Sequence, residues 1–193
     1  FLLGHVAAKV AQKTEQDIWN GAAATNGSFA GFKELMLADA DVTDVGAGAA
    51  VTSANVIEKL ALVVDSINST IYTSEDLFIY VSQNVARAYT RALGGFVANI
   101  GGAGTDNKGT QWYNGGALSF DGVKIAVANG LPDNTMVAAE KSNLFFGTGL
   151  LSDQNEVKVI DMADIDGSQN VRVVIRYTAS VNYGIGTDIV LYS

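Results

Sequence analysis

Apolar side chains recur every three or four residues at the start of the chain, and polar side chains fill the positions between them. This period predicts an amphipathic helix. Asn20 and Gly21 predict its end, because both tolerate the conformation of a helix C-terminal cap. The stripe is Leu3, Val6, Ala7, Val10, Ala11, Thr14 and Ile18, and the polar face is Lys9, Gln12, Lys13, Gln16 and Asp17.

Residues 52–93 predict a helix, a strand and a second helix in succession. Thr52 or Ser53 can cap the first of these helices, which is expected to end at Asn68. The run LFIYV at 77–81 is short and rich in β-formers, so it predicts a buried strand. Ser82 can cap the next helix, and glycines at 94 and 95 are expected to end it. This order indicates a layered α/β lobe. The two helical stripes are Val56, Ile57, Leu60, Ala61, Val64 and Ile67, and Val85, Ala86, Tyr89 and Leu93.

Two stretches lack a clear period. Residues 22–53 are rich in Gly, Ala, Asp and Thr, which predicts loops with one short strand at about Glu34 to Leu37. Residues 94–117 concentrate glycine and predict a long surface loop. Trp112 and Tyr113 lie near the far end of that loop.

The last third of the chain is strand-like. Apolar residues alternate from Val123 to Val127 and predict a half-buried strand. Pro132, the only proline, cannot donate to a sheet, so it marks the turn into a next strand near Met136 to Ala139. The runs VKVIDM, VRVVIRYTASVNYG and TDIVLYS, with ADIDGSQN as a turn, predict a long β-hairpin and a closing strand.

Composition narrows the classes of function. The 193 residues are 48% hydrophobic and 17% charged, which suits a globular chain with a substantial core. A net charge of -8 argues against a surface for nucleic-acid phosphates. The absence of cysteine excludes disulfides, thiolate zinc sites and cysteine nucleophiles. No apolar run is long enough to cross a bilayer.

The start of the chain is unusual. It begins at Phe1 in a helix that is already under way, and it shows neither a basic leader nor a cleavage site. We therefore expect a processed or trimmed product that lacks part of the original protein.

No residue cluster indicates catalysis or metal binding. His5 is the single histidine, so a structural or exposed role is favoured over a triad or a multi-histidine metal site. The series Asp161, Asp164, Asp166 and Gly167 has the spacing of a calcium loop but lacks the later glutamate, and turn geometry explains it more simply. Asp39, Asp41 and Asp44 are similarly spaced in a Gly/Ala-rich segment, and a solvated loop explains them more simply than calcium. No carboxylate pair stands out as placed for glycoside hydrolysis. We expect no catalytic residue, no metal and no cofactor.

Four stretches carry a family resemblance. They are the helix end DIWNG, the unit LFIYVS with QNVARAYTRAL, the loop TDNKGTQWYNGG with FDGVKIAVANGLPDNTMVAA, and the final strands from VKVIDM to IVLYS. In this order they resemble the C-terminal portion of an HK97-fold major capsid protein of tailed bacteriophages. The family's N-terminal arm and extended loop have no counterpart here, so cross-linking cannot be carried over.

The resemblance implies an α+β, HK97-like capsid fold with an axial-type α/β lobe, a peripheral-type helix and a long β-hairpin. Residues 1–25 would end the spine helix, 26–153 would form the axial-type domain, and 154–193 the hairpin and closing strand. The implied role is a non-enzymatic subunit of an icosahedral shell that forms hexamers and pentamers around the genome. The implied capsomer-interface residues are Asp106, Asn107, Lys108, Trp112 and Tyr113.

The implied partners are further copies of the chain, with scaffold, portal or decoration proteins beside them, but no membrane and no specific nucleic acid. Assembly would occur in the host bacterial cytoplasm, and the product would be the virion. Two alternatives stay open at this point. An encapsulin-like compartment shell shares the architecture but encloses a cargo enzyme, and an acidic-residue hydrolase is a less favoured second class.

Overall fold

A computed structural model describes residues 2–25, 27–46, 50–93, 118–149, 156–163, 167–176 and 178–193. Within these ranges the chain forms four α-helices and ten β-strands, in a mixed α+β fold. The helices are α1 (Leu2–Asn20), α2 (Phe32–Ala38), α3 (Val56–Asp65) and α4 (Gln83–Leu93). The strands are β1 (Thr43–Asp44), β2 (Leu77–Val81), β3 (Ser119–Phe120), β4 (Val123–Val127), β5 (Met136–Glu140), β6 (Leu144–Thr148), β7 (Glu156–Asp161), β8 (Val171–Arg176), β9 (Ala179–Tyr183) and β10 (Val190–Tyr192).

Six strands form one mixed sheet in the order β1-β10-β5-β2-β4-β3. The pairs β1–β10 and β2–β4 are parallel, and the other pairs are antiparallel. Because successive side chains of a strand point to opposite faces, β5 and β10 contribute to both sides of the sheet. Met136, Ala138, Val190 and Tyr192 pack with α3 and α4, whereas Val137, Ala139 and Leu191 pack with α1 and α2 residues. Helices therefore cover both faces of the sheet.

An aromatic cluster joins α1 to the sheet. The Trp19 ring lies 5.4 Å from Phe32 of α2 and 5.2 Å from Tyr80 of β2, centroid to centroid. A Cβ at Gly130 would lie within 3 Å of the Glu15 carbonyl and of Trp19, so the turn after β4 is pressed directly against α1. The end of α1 is thus an integral part of the core.

Most of the predicted elements are present. The first helix, the LFIYV strand, the strand Val123 to Val127 and the strand beginning at Met136 are confirmed. Pro132 lies in the turn between β4 and β5, as its missing donor requires. Its turn also contains Asn134, which adopts a positive φ of 63°.

The predicted strand at Glu34 to Leu37 is wrong, because residues 32–38 form helix α2. Its sequence FKELMLA consists mainly of good helix formers, and Phe32 and Met36, four residues apart, are buried on one face. The flanking glycines obscured this short helix, whose buried face is completed by Trp19 from a distant part of the chain.

Helix boundaries also differ from the prediction. Helix α3 begins at Val56, since Thr52 to Asn55 form a turn in which the Thr52 N–H donates to Asn55 Oδ1. It ends at Asp65, before the expected stop at Asn68. Ser82 does precede α4 directly, and its hydroxyl donates to Asn84 Oδ1.

The predicted long strand VRVVIRYTASVNYG is divided in two. Strand β8 pairs with β7, whereas β9 pairs with β6. The closing strand β10 is inserted between β1 and β5 of the six-stranded sheet. The division at 25/26 and 153/154, and the assignment to axial-type and peripheral-type lobes, stay predictions.

We expect Asn134→Ala to lower the free energy of unfolding by about 2 to 4 kcal/mol. Asn134 Oδ1 accepts from the Val51 N–H at 2.8 Å and from Asn84 Nδ2 at 2.9 Å. Its backbone has a positive φ, a conformation that is strained for residues that carry a Cβ. Asn134→Gly should lose the same bonds but avoid the backbone strain, so its loss should be smaller by about 1 kcal/mol. Urea unfolding of the three proteins measures both effects. Equal losses in the two variants would show that the strain contributes nothing.

Candidate assembly surfaces

The β7–β8 hairpin exposes an apolar face. Val159 and Val173 are directly opposite each other, and Val171 lies two residues from Val173, so these three side chains share one side of the hairpin. Val159 is 56% exposed and Val171 is 52% exposed. We call these three residues the valine face.

The valine face lacks a covering layer within the described part of the subunit. None of the described side chains of β7 and β8 is buried. The alternation of apolar and polar residues in these strands is typical of a sheet with one buried side, and a two-stranded hairpin alone is marginally stable in water. The pattern therefore indicates that another surface covers this face.

A second two-stranded pair, β6–β9, connects the main sheet to this hairpin along the chain. Its register runs from Leu144 opposite Tyr183 to Thr148 opposite Ala179, and the Gly149 N–H continues it by donating to the Thr178 carbonyl. Phe145 and Phe146 on β6, and Ile185 after β9, are exposed. Exposed aromatic and aliphatic side chains of this kind are enriched at protein–protein contacts.

Asn143 fixes the place where β6 leaves the main sheet and β9 returns to it. Its buried side-chain amide donates to the Ile185 carbonyl at 2.8 Å, and its Oδ1 accepts from the N–H groups of Gly184 at 3.0 Å and Ile185 at 2.8 Å. Three backbone groups of the segment that directly follows β9 are thereby satisfied by one side chain. The direction in which the β6–β9 pair leaves the sheet is therefore defined by hydrogen bonds.

A tyrosine–aspartate bond supports the same region. The Tyr183 hydroxyl donates to Asp39 Oδ2 at 2.8 Å, and Asp39 Oδ1 accepts from the Asp41 N–H at 3.0 Å. These two bonds hold the pKa of Asp39 below its usual range, and the bond from the Asp41 N–H has the larger effect. Burial, together with the bond to Asp39 and its negative charge, raises the pKa of Tyr183 to about 12. The bond therefore links β9 to the loop after α2 over the neutral pH range.

We expect Tyr183→Phe to reduce the pH dependence of stability at both extremes. Because the pKa of Tyr183 is raised on folding, its contribution to the free energy of unfolding is complete below the ordinary tyrosine pKa of about 10. That contribution is lost as the pH rises toward about 12. The lowered pKa of Asp39 means that its contribution is present above about pH 4 and is lost as the pH falls through the folded-state value. Urea unfolding of both proteins at about pH 3, 7 and 11 measures how their free energies of unfolding depend on pH. Parallel pH profiles would contradict the assigned role.

The predicted capsomer-interface residues Asp106, Asn107, Lys108, Trp112 and Tyr113 lie outside the described residues, and so does the rest of the glycine-rich loop 94–117. Their role stays a prediction. The structure brings Leu118, which directly follows that loop, to the edge of β4, where its carbonyl accepts from the Ile125 N–H.

The other candidate residues can be placed in part. His5 is exposed on α1. Asp161 Oδ1 accepts from the Ala163 N–H at 3.0 Å, which is the turn geometry that the sequence favoured, whereas Asp164 and Asp166 are outside the described residues. Within the described ranges, no three His, Cys, Asp or Glu side chains group in a way that could hold a metal ion.

Sequence interpretation missed the surface residues that now stand out. The alternation of VKVIDM and VRVVIR did signal the valine face, but it could not show that the face is exposed in the subunit. Asn143 had no signal, because its three partners follow about forty residues later. None of the described helices is long and apolar enough to span a membrane.

By sequence, the chain matches no protein-family model and no curated protein. Solved structures do match. A chain from Mycobacterium phage Che8 aligns with a TM-score of 0.62 at 14% identity, over 96% of this chain and 60% of that one. A chain of the satellite phage P4 procapsid, in a structure that includes the size determination (Sid) protein, aligns with a TM-score of 0.58 at 8% identity, over 99% of this chain and 65% of that one. A virus-like particle from Pyrococcus furiosus aligns with a TM-score of 0.49 at 8% identity, over 94% of this chain and 61% of that one.

The chain therefore has a mixed α+β fold that is similar to the folds of the Che8 phage chain and the P4 procapsid chain. The resemblance to the HK97-fold major capsid proteins of tailed bacteriophages is confirmed at the level of the fold. The chain spans 60% and 65% of the length of the Che8 and P4 chains, so each of them extends beyond the part that this chain matches.

Proposed function

We propose that this chain is a structural subunit of an icosahedral phage capsid, and that copies of it assemble into hexamers and pentamers that enclose the genome. The observation that carries the proposal is the likeness of fold to the Che8 phage chain, which extends over 96% of this chain. A shell protein works through repeated contacts between identical subunits and needs no catalytic group. We therefore propose a non-enzymatic role.

The valine face supports self-assembly independently of that likeness. Val159 and Val171 are each more than half exposed on a hairpin whose strand pattern is typical of a sheet with one covered side. Further copies of the same chain would supply that layer at every position of a closed shell. Exposed Phe145 and Phe146 would add apolar area to the contacts along β6.

The charge of the chain fits a container for DNA. With 20 acidic and 12 basic residues the subunit repels phosphates, so the wall would not retain the genome during packaging. We propose assembly in the host bacterial cytoplasm and a final location in the virion, with scaffold, portal or decoration proteins as further partners. Asp106, Asn107, Lys108, Trp112 and Tyr113 are proposed to line the capsomer axis.

The test is expression of the complete gene product, followed by sedimentation, mass photometry and nuclease treatment of the heavy fraction. We expect uniform particles of megadalton mass, and in infected cells these should protect phage DNA from the nuclease. Particles that hold a protein cargo and no DNA would support the encapsulin-like alternative. A product that stays monomeric over a range of salt and pH would contradict both shell functions.

A further inference from the structure

Opposite charges lie on one edge strand of the six-stranded sheet and on a helix near its other edge. At one end, edge strand β1 and the loop before it bear the exposed carboxylates of Asp41 and Asp44, which we call the acidic edge. Near the other end, helix α4 bears Arg87 and Arg91, both exposed and four residues apart. The sequence of α4, QNVARAYTRAL, contains no acidic residue, although the whole chain has a net charge of -8.

The two arginines border an open groove of about 490 Å³. Ala86 and Leu118 line it together with Val127 of β4, which is 46% exposed. We call this site the basic groove. An apolar floor with cationic sides suits a protein segment that offers carboxylates at its border, since the apolar contact gives affinity and the charges give orientation.

The two charged sites do not neutralise each other within one subunit. Four strand spacings separate β1 from β4, which corresponds to about 19 Å. That distance exceeds the screening length of about 8 Å at physiological ionic strength. The structure shows an ion pair between Lys13 and Asp17. It shows none, among the residues that it describes, for the acidic edge (Asp41, Asp44) or for the two arginines of the basic groove (Arg87, Arg91). Arg87 instead donates to Gln83 Oε1 of the same helix at 2.9 Å.

We propose that the basic groove of one subunit receives the acidic edge of the next copy of the chain. The two surfaces differ and lie near opposite edges of one sheet, so the contact is heterologous, and such contacts form a ring when the rotation between neighbours closes about one axis. This inference rests on the proposed capsid function, because it assigns the contact that joins neighbours within a capsomer. The basic groove cannot pair with itself, since two sets of arginines would repel each other.

Site-specific cross-linking tests the contact directly, because none of these 193 residues is a cysteine, and any cysteine elsewhere in the complete gene product is first replaced by serine. Thr43→Cys places a thiol on β1 and Gln83→Cys places one on α4, and both substituted residues are exposed. In the complete gene product, a bismaleimide linker should join a Thr43→Cys subunit to a Gln83→Cys subunit. The double variant should give a ladder of products that ends at the closed ring. Each single variant alone serves as the matched control and should give no dimer.

Charge reversal supplies a second readout. Asp41→Lys with Asp44→Lys, and separately Arg87→Glu with Arg91→Glu, should each reduce the yield of shells at least about tenfold, and combining the two reversals in one chain should restore it. Glu58→Lys with Asp65→Lys on α3 changes the net charge by the same amount as the first reversal, but lies outside both sites, and should assemble normally.

Failure of the inference and failure of the capsid function are distinguishable. If the natural gene product forms shells while the mixed single variants do not cross-link, the proposed contact is wrong and the capsid function stands. Cross-linking of Gln83→Cys subunits to one another, or a thiol bridge within one chain of the double variant, would also overturn the contact. If the natural gene product forms no shells, the capsid function itself fails.

Discussion

Val159→Lys with Val171→Lys is expected to abolish shell formation and leave the subunit folded. Both side chains are more than half exposed in the subunit, so lysine meets no steric or solvation obstacle there. In a shell, the same positions would be covered by another copy. Each contact would then lose about 1 kcal/mol of apolar burial per valine, since nearly half of each side chain is already buried, and would have to bury an ammonium group. Mass photometry of the complete gene product should show only subunits or small oligomers.

The control is Leu62→Lys, which places one lysine, half of the charge added by the double variant, on an exposed apolar position of α3. We expect this variant to assemble like the natural protein. Circular dichroism and urea unfolding should show that all variants are folded. Normal shells from the double valine variant would mean that the valine face remains exposed after assembly, and the support that it gives to self-assembly would be lost.

Leu60→Ala is expected to lower the free energy of unfolding by about 2 to 5 kcal/mol. Leu60 is fully buried in the cluster that joins α3 and α4 to the sheet, so its removal leaves a cavity that the surrounding core cannot fill completely. Leu62, two residues later on the same helix, is 41% exposed. Leu62→Ala should therefore change stability by no more than about 0.5 kcal/mol.

Chemical denaturation of the two leucine variants checks the packing of α3. Both substitutions have the same effect on helix propensity, so the difference between them reports burial alone. Similar losses for Leu60→Ala and Leu62→Ala would contradict the orientation of α3 against the sheet. A loss for Leu62→Ala that appears only in assembled shells would instead place α3 in a contact between subunits.

Long periodic segments were predictable as elements because the period of their own side chains is a local signal. The buried face of α1 was not, since none of its described stripe residues is buried, whereas Asp17, expected on the polar face, and Trp19 are. The stripe of α1, the run LFIYV and the alternation from Val123 to Val127 each identify an element without reference to the rest of the chain. Pro132 located the turn before β5 for an equally local reason, since it lacks a backbone donor. Hence the layered body of the fold could be predicted in outline.

Elements that depend on distant partners were not predictable in this way. The short helix α2 owes its buried face to Trp19, and the prediction of a strand at Glu34 to Leu37 failed for that reason. The pairing of β9 with β6 depends on tertiary packing and on the side-chain amide of Asn143. The sequence contains no turn motif that predicts this pairing. The sheet order places Asp44 on one edge strand, and α4 places Arg87 beside β4 near the other edge, which the linear sequence cannot reveal.

The assembly surfaces show a further limit of sequence interpretation. Alternation in β7 and β8 identified an apolar side, and the natural inference from such a pattern is a buried core strand. Alternation of apolar and polar residues indicates that one side of a strand is buried, but it does not show whether the same chain or another chain buries it. The exposure of Val159 and Val171 in the subunit therefore becomes informative only when sequence and structure are compared.

Cryo-electron microscopy of particles formed by the complete gene product tests the central claim most directly. The account predicts closed icosahedral shells of uniform diameter, in which this chain occupies every wall position and the valine face is covered by a neighbouring copy. A preparation without closed shells, under conditions that keep the subunit folded, would contradict the claim that this chain builds a capsid.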